Sequence, residues 1–141
     1  MAKKKKQTAR CDKCHMPTKA HSADAGFDIY SPVSFAVDGR ESTIIDTGVH
    51  FEIPDGYVGF LKSKSGLNVK SGINTEGVID SGYTGSVVVK MYNHSDSRKC
   101  FDKGDKITQI VFLPVPDVCL ENTESFAETE RGNKGFGSTG R

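Results

Sequence analysis

Apolar and polar residues alternate along several short segments of this chain, a period of two that is typical of half-buried β-strands. Residues 47–53 show the pattern clearly, and Pro54-Asp55-Gly56 then ends the segment with strong turn chemistry. Four further segments are rich in β-forming residues and bounded by Gly, Asp, Asn or Pro: 33–37, 57–61, 86–92 and 107–113. The pattern therefore predicts short strands joined by many turns.

No window carries apolar residues at a sustained helical spacing, and only a turn or two of helix is expected after Ser65-Gly66-Leu67. An all-β fold follows, a distorted jelly-roll or β-barrel-like sandwich. After Pro114 the apolar rhythm fades and the chain turns acidic, which indicates an extended C-terminal arm outside the core. We therefore divide the chain into a disordered basic tail over 1–14, a β-barrel domain over 15–116 and the arm over 117–141.

Composition and charge agree with this division. The 141 residues suffice for one domain with one core, and 15 of them are glycine. Six cations against Asp12 alone make residues 1–14 strongly basic in a chain of net charge +1, so the remainder is net negative. The globular body is therefore not expected to bind nucleic acid stably. The lysine run at 3–6 is a solvated tail in the simplest interpretation, with nuclear targeting or polyanion binding as the alternative.

No stretch approaches the ~18 apolar residues that span a bilayer, and polar residues follow the lysine run where a secretory signal has an apolar segment. We expect no membrane partner and an intracellular protein, cytoplasmic or, if the lysine run is a targeting signal, nuclear. Its four cysteines are then reduced thiols. Cys11 and Cys14 have the spacing of a zinc-ligand pair but lack a second such pair, so thiols in a mobile tail are the simpler interpretation.

A carboxylate and an aromatic ring occur on one predicted hairpin. Asp80 follows the apolar pair Val78-Ile79 and precedes a Ser-Gly turn, and Tyr83 comes three residues later. An aspartate is ionised at neutral pH unless it is strongly desolvated, so Asp80 can act as a general base for water. Ordinary turn chemistry and a packed core tyrosine are the alternative interpretations.

Residues 131–140 form a basic segment with four glycines, two hydroxyls and the ring of Phe136. Such a segment can fold backbone N–H groups around phosphates and close a ring over a base. It contains G-x-G-x-x-G at 135–140, but no strand precedes it, so a dinucleotide-binding fold is not indicated. Together with the hairpin it suggests a nucleotide hydrolase, while simple disorder is the alternative for the segment alone.

Other candidate ligands lie at strand ends. Residues 63–67 combine a cation with hydroxyls where a strand turns into a short helix, a place that favours anions or, alternatively, a plain helix cap. Gln109 lies on a strand that starts from a Gly-Asp turn and can reach polar ligand atoms. Asp28, flanked by apolar residues, is either linked to a metal or structural.

In this order and at these distances, the segments resemble the five motifs of the homotrimeric dUTP diphosphatases over about residues 16–141. The matching segments are 25–31, 63–67, 77–85, 104–110 and 131–140. The resemblance implies jelly-roll-like subunits that trimerise, so that residues of all three chains form each active site. It also implies that residues 15–116 are a dUTPase domain, and that the arm crosses to close a neighbouring subunit's site over dUTP.

The resemblance further implies that Asp80 activates a water for in-line attack on the α-phosphorus, giving dUMP and pyrophosphate. This reaction keeps uracil out of DNA and supplies dUMP for dTMP synthesis. Tyr83 would pack under the deoxyribose and exclude a 2′-hydroxyl. Mg²⁺ would be held mainly by the triphosphate, with Asp28 reaching it through water. The substrate-binding residues implied are Lys64, Ser65, Gly66, Asn74, Gly77, Ile79, Tyr83, Gln109, Arg131, Phe136, Gly137, Ser138 and Thr139.

Within that set, Asn74 would read uracil, and the backbone of residues 77–83 would mimic base pairing and exclude the methyl group of thymine. Phe136 would stack on the base. The phosphates would be held by Ser65, Gln109, Arg131, Ser138 and Thr139.

Two lysines depart from the family's pattern. Lys64 stands where the second motif usually carries arginine, and it lacks the planar fork that grips phosphate in two places, so activity is lowered or another residue takes the contact. Lys106 replaces a common arginine and is expected to pair within the fold.

Three alternative functions each require a different feature of the sequence. A dCTP deaminase of the same fold needs a glutamate on the strand after the hairpin, and residues 86–92 contain none. A regulatory module that has lost turnover is expected to show damage at the base or arm, whereas Asp80, Tyr83, Arg131 and Phe136 are all present. An unrelated structural β-sandwich requires the five motifs to be coincidence.

Overall fold

The computed structural model describes residues 7–11, 16–137 and 139–140, which form nine strands and one short helix, α1 (Ser65–Ser71). The strands are β1 (Arg10–Cys11), β2 (Gly26–Tyr30), β3 (Phe35–Val37), β4 (Ser42–Glu52), β5 (Tyr57–Lys62), β6 (Ile73–Ile79), β7 (Ser86–Asn93), β8 (Lys99–Phe101) and β9 (Lys106–Pro114). The predicted all-β fold, with a short helix at residue 65, is confirmed.

Seven of these strands form one antiparallel sheet in the order β1-β4-β7-β6-β5-β9-β2, and β3 pairs with β8. Six strands of the large sheet send side chains into one buried cluster, which includes Ile29 at one edge of the order and Val49 near the other. One face of a flat sheet cannot bring such distant strands into contact. The sheet therefore curls into a half-barrel around its core, as the strong twist of β-sheets permits.

A second buried cluster lies between the large sheet and the β3–β8 pair, with Val37, Ile73, Met91 and Phe101 among its members. The period-two pattern of the sequence accounts for both clusters. In β7, for example, Val87, Val89 and Met91 are buried while the residues between them are exposed. Each large apolar side chain taken fully out of water contributes about 1.5–3 kcal/mol.

The helix α1 connects β5 to β6 and sets the position of the residues that precede it. It begins after Lys64 and ends at Gly72, whose φ of 65° is a left-handed conformation that glycine adopts readily. The Gly72 N–H donates to the carbonyl oxygen of Asn68 at 3.0 Å. Because Leu67 packs on the second cluster, the helix is anchored beside the end of β5.

Most sequence predictions of strands agree with the structure, with differences at the short elements. The segments at 57–61, 86–92 and 107–113 are β5, β7 and β9, and the segment at 47–53 is the second half of the longer β4. The sequence predicts only the last residues of β6, and it does not predict β8, because a strand of three residues carries no readable periodicity.

The basic tail expected to be disordered over 1–14 requires a correction. Arg10–Cys11 forms β1 against Phe51 and Glu52 of β4, with an Arg10–Glu52 ion pair at 3.7 Å. Backbone pairing along the edge of β4 outweighs the polar composition there. Residues 1–6, which include the lysine run, and residues 12–15, which include Cys14, lie outside the described residues. The other domain boundaries stay predictions.

Beyond β9, the described residues 115–137 and 139–140 form neither helix nor strand. Nearly all of them are exposed, including Val118, Leu120 and Phe126. We keep the name C-terminal arm for residues 117–141. Among the described residues, no helix has the length and apolar character needed to cross a membrane.

Candidate active site

The hairpin between β6 and β7 holds Asp80 at its turn. β6 ends at Ile79, and the Tyr83 N–H donates to the Asp80 carbonyl at 3.0 Å, which closes the turn. The Asp80 side chain is exposed and, within the described ranges, has no hydrogen-bond or ion-pair partner. A carboxylate that is accessible and unengaged can accept a proton from a bound water.

Tyr83 lies beside Asp80, and its ring is held in place by a hydrogen bond from its hydroxyl and by contact with a glycine. The hydroxyl donates to the carbonyl oxygen of Ser86 at 2.8 Å. A Cβ added to Gly85 would come within 2.5 Å of the tyrosine oxygen, so the ring rests directly on that glycine. Asp80 and Tyr83 line one groove of about 210 Å³, together with the buried Ile79. The hairpin thus brings together the carboxylate and the ring that the sequence placed on it.

A second group of polar side chains lies where β5 ends. The Ser63 hydroxyl donates to Oδ1 of Asn74 at 2.6 Å and accepts from the Thr75 N–H at 3.0 Å. Gln109 on β9 donates from Nε2 to the Ser63 carbonyl at 3.0 Å. A Cβ on Gly26 would lie 2.3 Å from Oε1 of Gln109, so the absence of a side chain there makes room for the amide. Two predicted ligands, Asn74 and Gln109, are therefore tied to one residue.

Asp28 on β2 is buried and faces two lysines. The Lys64 ammonium donates to Oδ1, and the Lys106 ammonium lies 3.1 Å from Oδ2. Burial disfavours the charged carboxylate, but the hydrogen bonds and positive charges of the two lysines outweigh it and hold the pKa of Asp28 below its ordinary value. The bond to the same carboxylate raises the pKa of Lys106. The expectation that Lys106 pairs within the fold agrees with this contact.

The other predicted ligands of the globular body lie close to these groups in sequence. Ser65 and Gly66 are exposed at the start of α1, directly after Lys64. Gly77 pairs with Leu61 across β5 and β6, and a Cβ there would come 3.0 Å from the leucine Cδ1. The sequence assigned separate roles to Lys64 and Asp28, and the structure joins them.

The C-terminal arm does not meet the hairpin through its distal part. Arg131 donates from Nε to the Lys134 carbonyl at 3.0 Å, a bond that stays within the arm. Phe136 is fully exposed, Gly137 and Thr139 are also exposed, and Ser138 lies outside the described residues. Residues just after β9 lie near Asp80, because Val115, Pro116 and Asp117 line a groove of about 600 Å³ with it. The described ligands predicted on the distal arm are therefore exposed to solvent within this chain.

The described residues do not form a metal site by themselves. No group of three or more His, Cys, Asp or Glu side chains in that part of the chain is arranged to hold an ion. Asp28 already accepts from two ammonium groups. Mg²⁺ keeps several waters and is usually bound by one or two carboxylates plus substrate phosphates. The donors present fit a magnesium ion that arrives with a triphosphate and contacts the protein through water.

Sequence reasoning missed Ser63 and Gly85 as parts of the site. Ser63 is the first residue of the motif at 63–67 but was given no role, because its bond to Asn74 joins positions 11 residues apart through a strand pairing. Gly85 ends the hairpin motif, and only the position of the Tyr83 ring shows why a side chain does not fit there.

An unengaged carboxylate beside an aromatic ring, with amides and ammonium groups at adjacent strand ends of a curled β-sheet, is an arrangement that suits an all-β nucleotide hydrolase. The dUTPase family model matches residues 12–140. The deoxyuridine 5′-triphosphate nucleotidohydrolase of Eremothecium gossypii is 41% identical over 133 residues, 93% of this chain and 87% of the relative. That of Clostridium tetani is 36% identical over 129 residues, 89% of each chain. The chain belongs to the dUTPase family.

Solved structures agree with this assignment. The dUTPase of Staphylococcus bacteriophage 80alpha, solved with dUPNHPP, aligns with a TM-score of 0.89 and 30% identity over 96% of this chain and 100% of its own. A mutant dUTPase from phage phi11 of S. aureus, which reveals the coordination of a structural Mg(II) ion, aligns with a TM-score of 0.77 and 27% identity over 85% of this chain and 99% of its own. The resemblance to the dUTP diphosphatases, a family of enzymes, is confirmed.

Proposed function

We propose that the protein hydrolyses dUTP to dUMP and pyrophosphate, keeping uracil out of DNA and supplying dUMP for dTMP synthesis. Family membership supports the reaction, and one observation in the structure carries it. Asp80 presents a carboxylate without a partner in the described chain, in the groove that the Tyr83 ring also lines. A general base next to a surface that can seat a sugar is what attack of water on a deoxynucleotide requires.

Asp80 accepts a proton from a water as that water attacks the α-phosphorus in line with the leaving group. The bond from the α-phosphorus to the bridging oxygen breaks, and pyrophosphate leaves with that oxygen. A positioned general base contributes roughly 10²–10⁴-fold to such a rate. The exposed position of Asp80 at the hairpin turn supports this role, because water reaches it freely.

Tyr83 selects the sugar. Its ring is held on one side by Gly85 and at its hydroxyl by the Ser86 carbonyl, so it cannot easily move away from a ligand. A deoxyribose packs on the ring, whereas the 2′-hydroxyl of a ribose clashes with it. Discrimination against UTP then comes from contact with a ring that is fixed in place.

The base is read by Asn74 and by the backbone of residues 77–83, including Gly77 and Ile79. Asn74 has its amide oxygen engaged by Ser63, which leaves the amide NH₂ group available for a ligand. The close packing of Gly77 on Leu61 keeps this strand fixed, which supports rejection of the thymine methyl group by shape.

The triphosphate is held by residues at the start of α1, by Gln109 and by the C-terminal arm. Lys64 can serve here although it binds Asp28, because an ammonium group has three N–H donors. Phe136 stacks on the base once the arm closes. The remaining phosphate ligands are Ser65, Arg131, Ser138 and Thr139, and Gly66 and Gly137 are further substrate-binding residues.

A magnesium ion would be held mainly by the triphosphate, with Asp28 as the residue that would reach it through a water, and it would supply positive charge against the phosphate oxygens. The two lysines on Asp28 compensate its charge whether or not the ion is present.

The protein acts as a homotrimer in which the arm of one chain completes the site of another. The distal arm makes no hydrogen bond to the body within the described chain, although it carries the ring and cation that the site needs. Large apolar side chains are also exposed on three adjacent strands, Ile44 on β4, Val78 on β6 and Val88 on β7. A partner subunit that covers this face removes it from water. We further propose an intracellular location and no stable binding of nucleic acid by the body.

The pairing of Lys64 with Asp28 favours a second candidate function, a nucleotide-binding module without turnover. In this case the lysine stays on Asp28 and leaves no space for the metal-bound triphosphate. Release of pyrophosphate from dUTP, UTP, dTTP and dCTP, with and without Mg²⁺, separates the two. Turnover of dUTP alone, stimulated by Mg²⁺, supports the hydrolase. Binding of dUTP without turnover supports the module, and release of ammonia from dCTP indicates a deaminase.

A further inference from the structure

Ser63 lies at the point where β5 ends and joins two of the proposed ligands. Its hydroxyl donates to Oδ1 of Asn74, its backbone carbonyl accepts from Gln109, and the Thr75 N–H donates to its hydroxyl oxygen. Thr75 is almost fully buried, so this N–H has no access to water as a replacement partner. The hydroxyl oxygen is therefore fixed as an acceptor for Thr75, and its proton is directed to Oδ1 of Asn74 at 2.6 Å, because the other acceptor within reach, the Thr75 carbonyl oxygen, lies farther away at 3.3 Å.

This arrangement decides which end of the Asn74 amide is available to a ligand. A carboxamide carries an acceptor oxygen at one end and a donor NH₂ at the other, and the two ends can exchange by rotation. Because the Ser63 proton engages Oδ1 at 2.6 Å, rotation would turn Nδ2 towards the hydroxyl and leave its proton only the Thr75 carbonyl oxygen, at the longer distance of 3.3 Å. Nδ2 has no hydrogen-bond partner in the described part of the chain, so the donor end faces outward.

We propose that Ser63 is a positioning residue for base selection. It holds Asn74 so that an NH₂ donor, and not an acceptor, meets the base. This inference rests on the proposed role of Asn74 at the base. Uracil offers a carbonyl oxygen at its 4-position, which accepts from the amide, whereas cytosine offers an amino group there. Two donors that face each other leave buried polar groups unpaired, so cytosine is rejected.

The contact with Gln109 allows base selection to be tested separately from phosphate binding. Gln109 bonds the backbone carbonyl of Ser63, which a side-chain substitution leaves in place. Ser63→Ala therefore removes the hydroxyl that orients Asn74 and keeps the anchor of the phosphate-facing amide. Loss of the hydroxyl affects the choice of base more than affinity for the triphosphate.

The test is binding of non-hydrolysable α,β-imido analogues of dUTP and dCTP, measured by calorimetry. The ratio of the two dissociation constants is the readout, so it does not depend on turnover. In Ser63→Ala, the preference for the uracil analogue should fall by about tenfold or more, since one misdirected buried hydrogen bond is involved. Ser63→Thr keeps the hydroxyl and the preference. Ser34→Ala, which removes a hydroxyl that accepts from the Lys103 N–H and has no bond to Ser63 or Asn74 in the described chain, is the matched control.

Asn74→Asp gives a second and opposite test that leaves Ser63 and its bond to Thr75 intact. The Ser63 proton engages one carboxylate oxygen, and the other oxygen, an acceptor, faces the base. The preference should then shift towards the cytosine analogue. Added repulsion of the phosphates affects both analogues equally and cancels in the ratio.

An unchanged ratio in a folded Ser63→Ala protein overturns the proposal, and so does an equal loss of affinity for both analogues. A ratio in Asn74→Asp that still favours uracil as strongly as before contradicts it independently. Failure of the unaltered protein to release pyrophosphate from dUTP counts against the proposed function alone, because the binding ratios still decide the role of Ser63.

Discussion

Lys106 and Asp28 form an ion pair in which the lysine Nζ lies 3.1 Å from Oδ2 of the carboxylate. Lys64 engages the other oxygen, so one buried acid connects β2, β9 and the end of β5. By resemblance, both lysines stand where the family usually carries arginine. A lysine is a compact charge without a planar fork, so two of them can approach the same carboxylate from different sides. Asp28 thus organises the cations beside the candidate phosphate site.

Asp28→Asn should lower the free energy of unfolding by about 2 kcal/mol at neutral pH, because the buried carboxylate loses its charge and the half-buried Lys64 loses its partner, with a smaller share from the exposed Lys106. Denaturant unfolding followed by circular dichroism measures the change. Asp38→Asn is the control, since its ion pair with Arg98 at 3.0 Å is largely exposed. That control should cost less than about 1 kcal/mol, and equal losses in the two variants would contradict the structural role of Asp28.

The Asp28 contribution should also depend on pH in a defined direction. Its pKa is lower in the folded protein than in the unfolded chain, so the contribution is present above the unfolded pKa of about 3.9. It is lost as the pH falls through the lowered folded value. The stability difference between the original protein and Asp28→Asn should be constant near neutral pH and shrink below about pH 4. A difference that stays undiminished in strong acid speaks against the assigned ion pairs.

Lys64→Ala and Lys106→Ala should separate phosphate binding from structure, although both lysines contact Asp28. Lys64 adjoins Ser65 and Gly66 at the start of α1, so its loss should raise KM for dUTP about tenfold or more. Lys106→Ala should lower thermal stability and leave KM within about threefold of the original. Steady-state kinetics with dUTP and thermal unfolding of the same preparations give both readouts. Equal effects on KM would show that Lys64 has no separate contact with phosphate.

Gly85→Ala should disturb selection of the sugar. The new Cβ would lie 2.5 Å from the Tyr83 oxygen, so the ring must move or the hairpin must deform, at a cost of about 1–3 kcal/mol. With the ring displaced, the ratio of kcat/KM for dUTP over UTP should fall. Gly82→Ala on the same hairpin meets no atom within 4 Å and is the control for stability. A Gly85→Ala protein of unchanged stability and unchanged sugar selection would rule out the described packing.

Mixing two inactive variants should test whether chains share sites. Asp80→Asn lacks the base, and a chain that ends at Glu130 lacks the distal arm. Each should be inactive alone. If the proteins are unfolded, mixed in equal amounts and refolded, roughly a quarter of the sites in random trimers combine an intact Asp80 with an intact arm. Activity that appears only in the mixture supports the shared site, whereas an inactive mixture of correct trimer mass contradicts it.

The sequence predicts the long strands well because each shows the period-two pattern within its own residues. β4 and β7 alternate buried and exposed residues over many positions, and turn residues bound them. β1 and β8 have two and three residues, and each exists only because a neighbouring strand offers backbone partners. The curl of the sheet is likewise a property of the assembled strands.

The same distinction holds for the candidate site. Asp80, Tyr83 and Gly85 are local to one hairpin, so their proximity follows from the sequence. The contact of Lys64 with Asp28 joins positions 36 residues apart and depends on how β2, β9 and β5 pair. No local pattern contains that information. The sequence also does not show that the hydroxyl of Ser63 donates to the amide oxygen of Asn74.

The most direct test of the central claim is the rate of dUTP hydrolysis by Asp80→Asn, measured in single turnover beside its affinity for the α,β-imido analogue. The substitution removes the base and keeps the size of the side chain. We predict a loss of at least about a hundredfold in rate, with affinity and trimer mass nearly unchanged. Hydrolysis at the original rate would show that Asp80 is not the base.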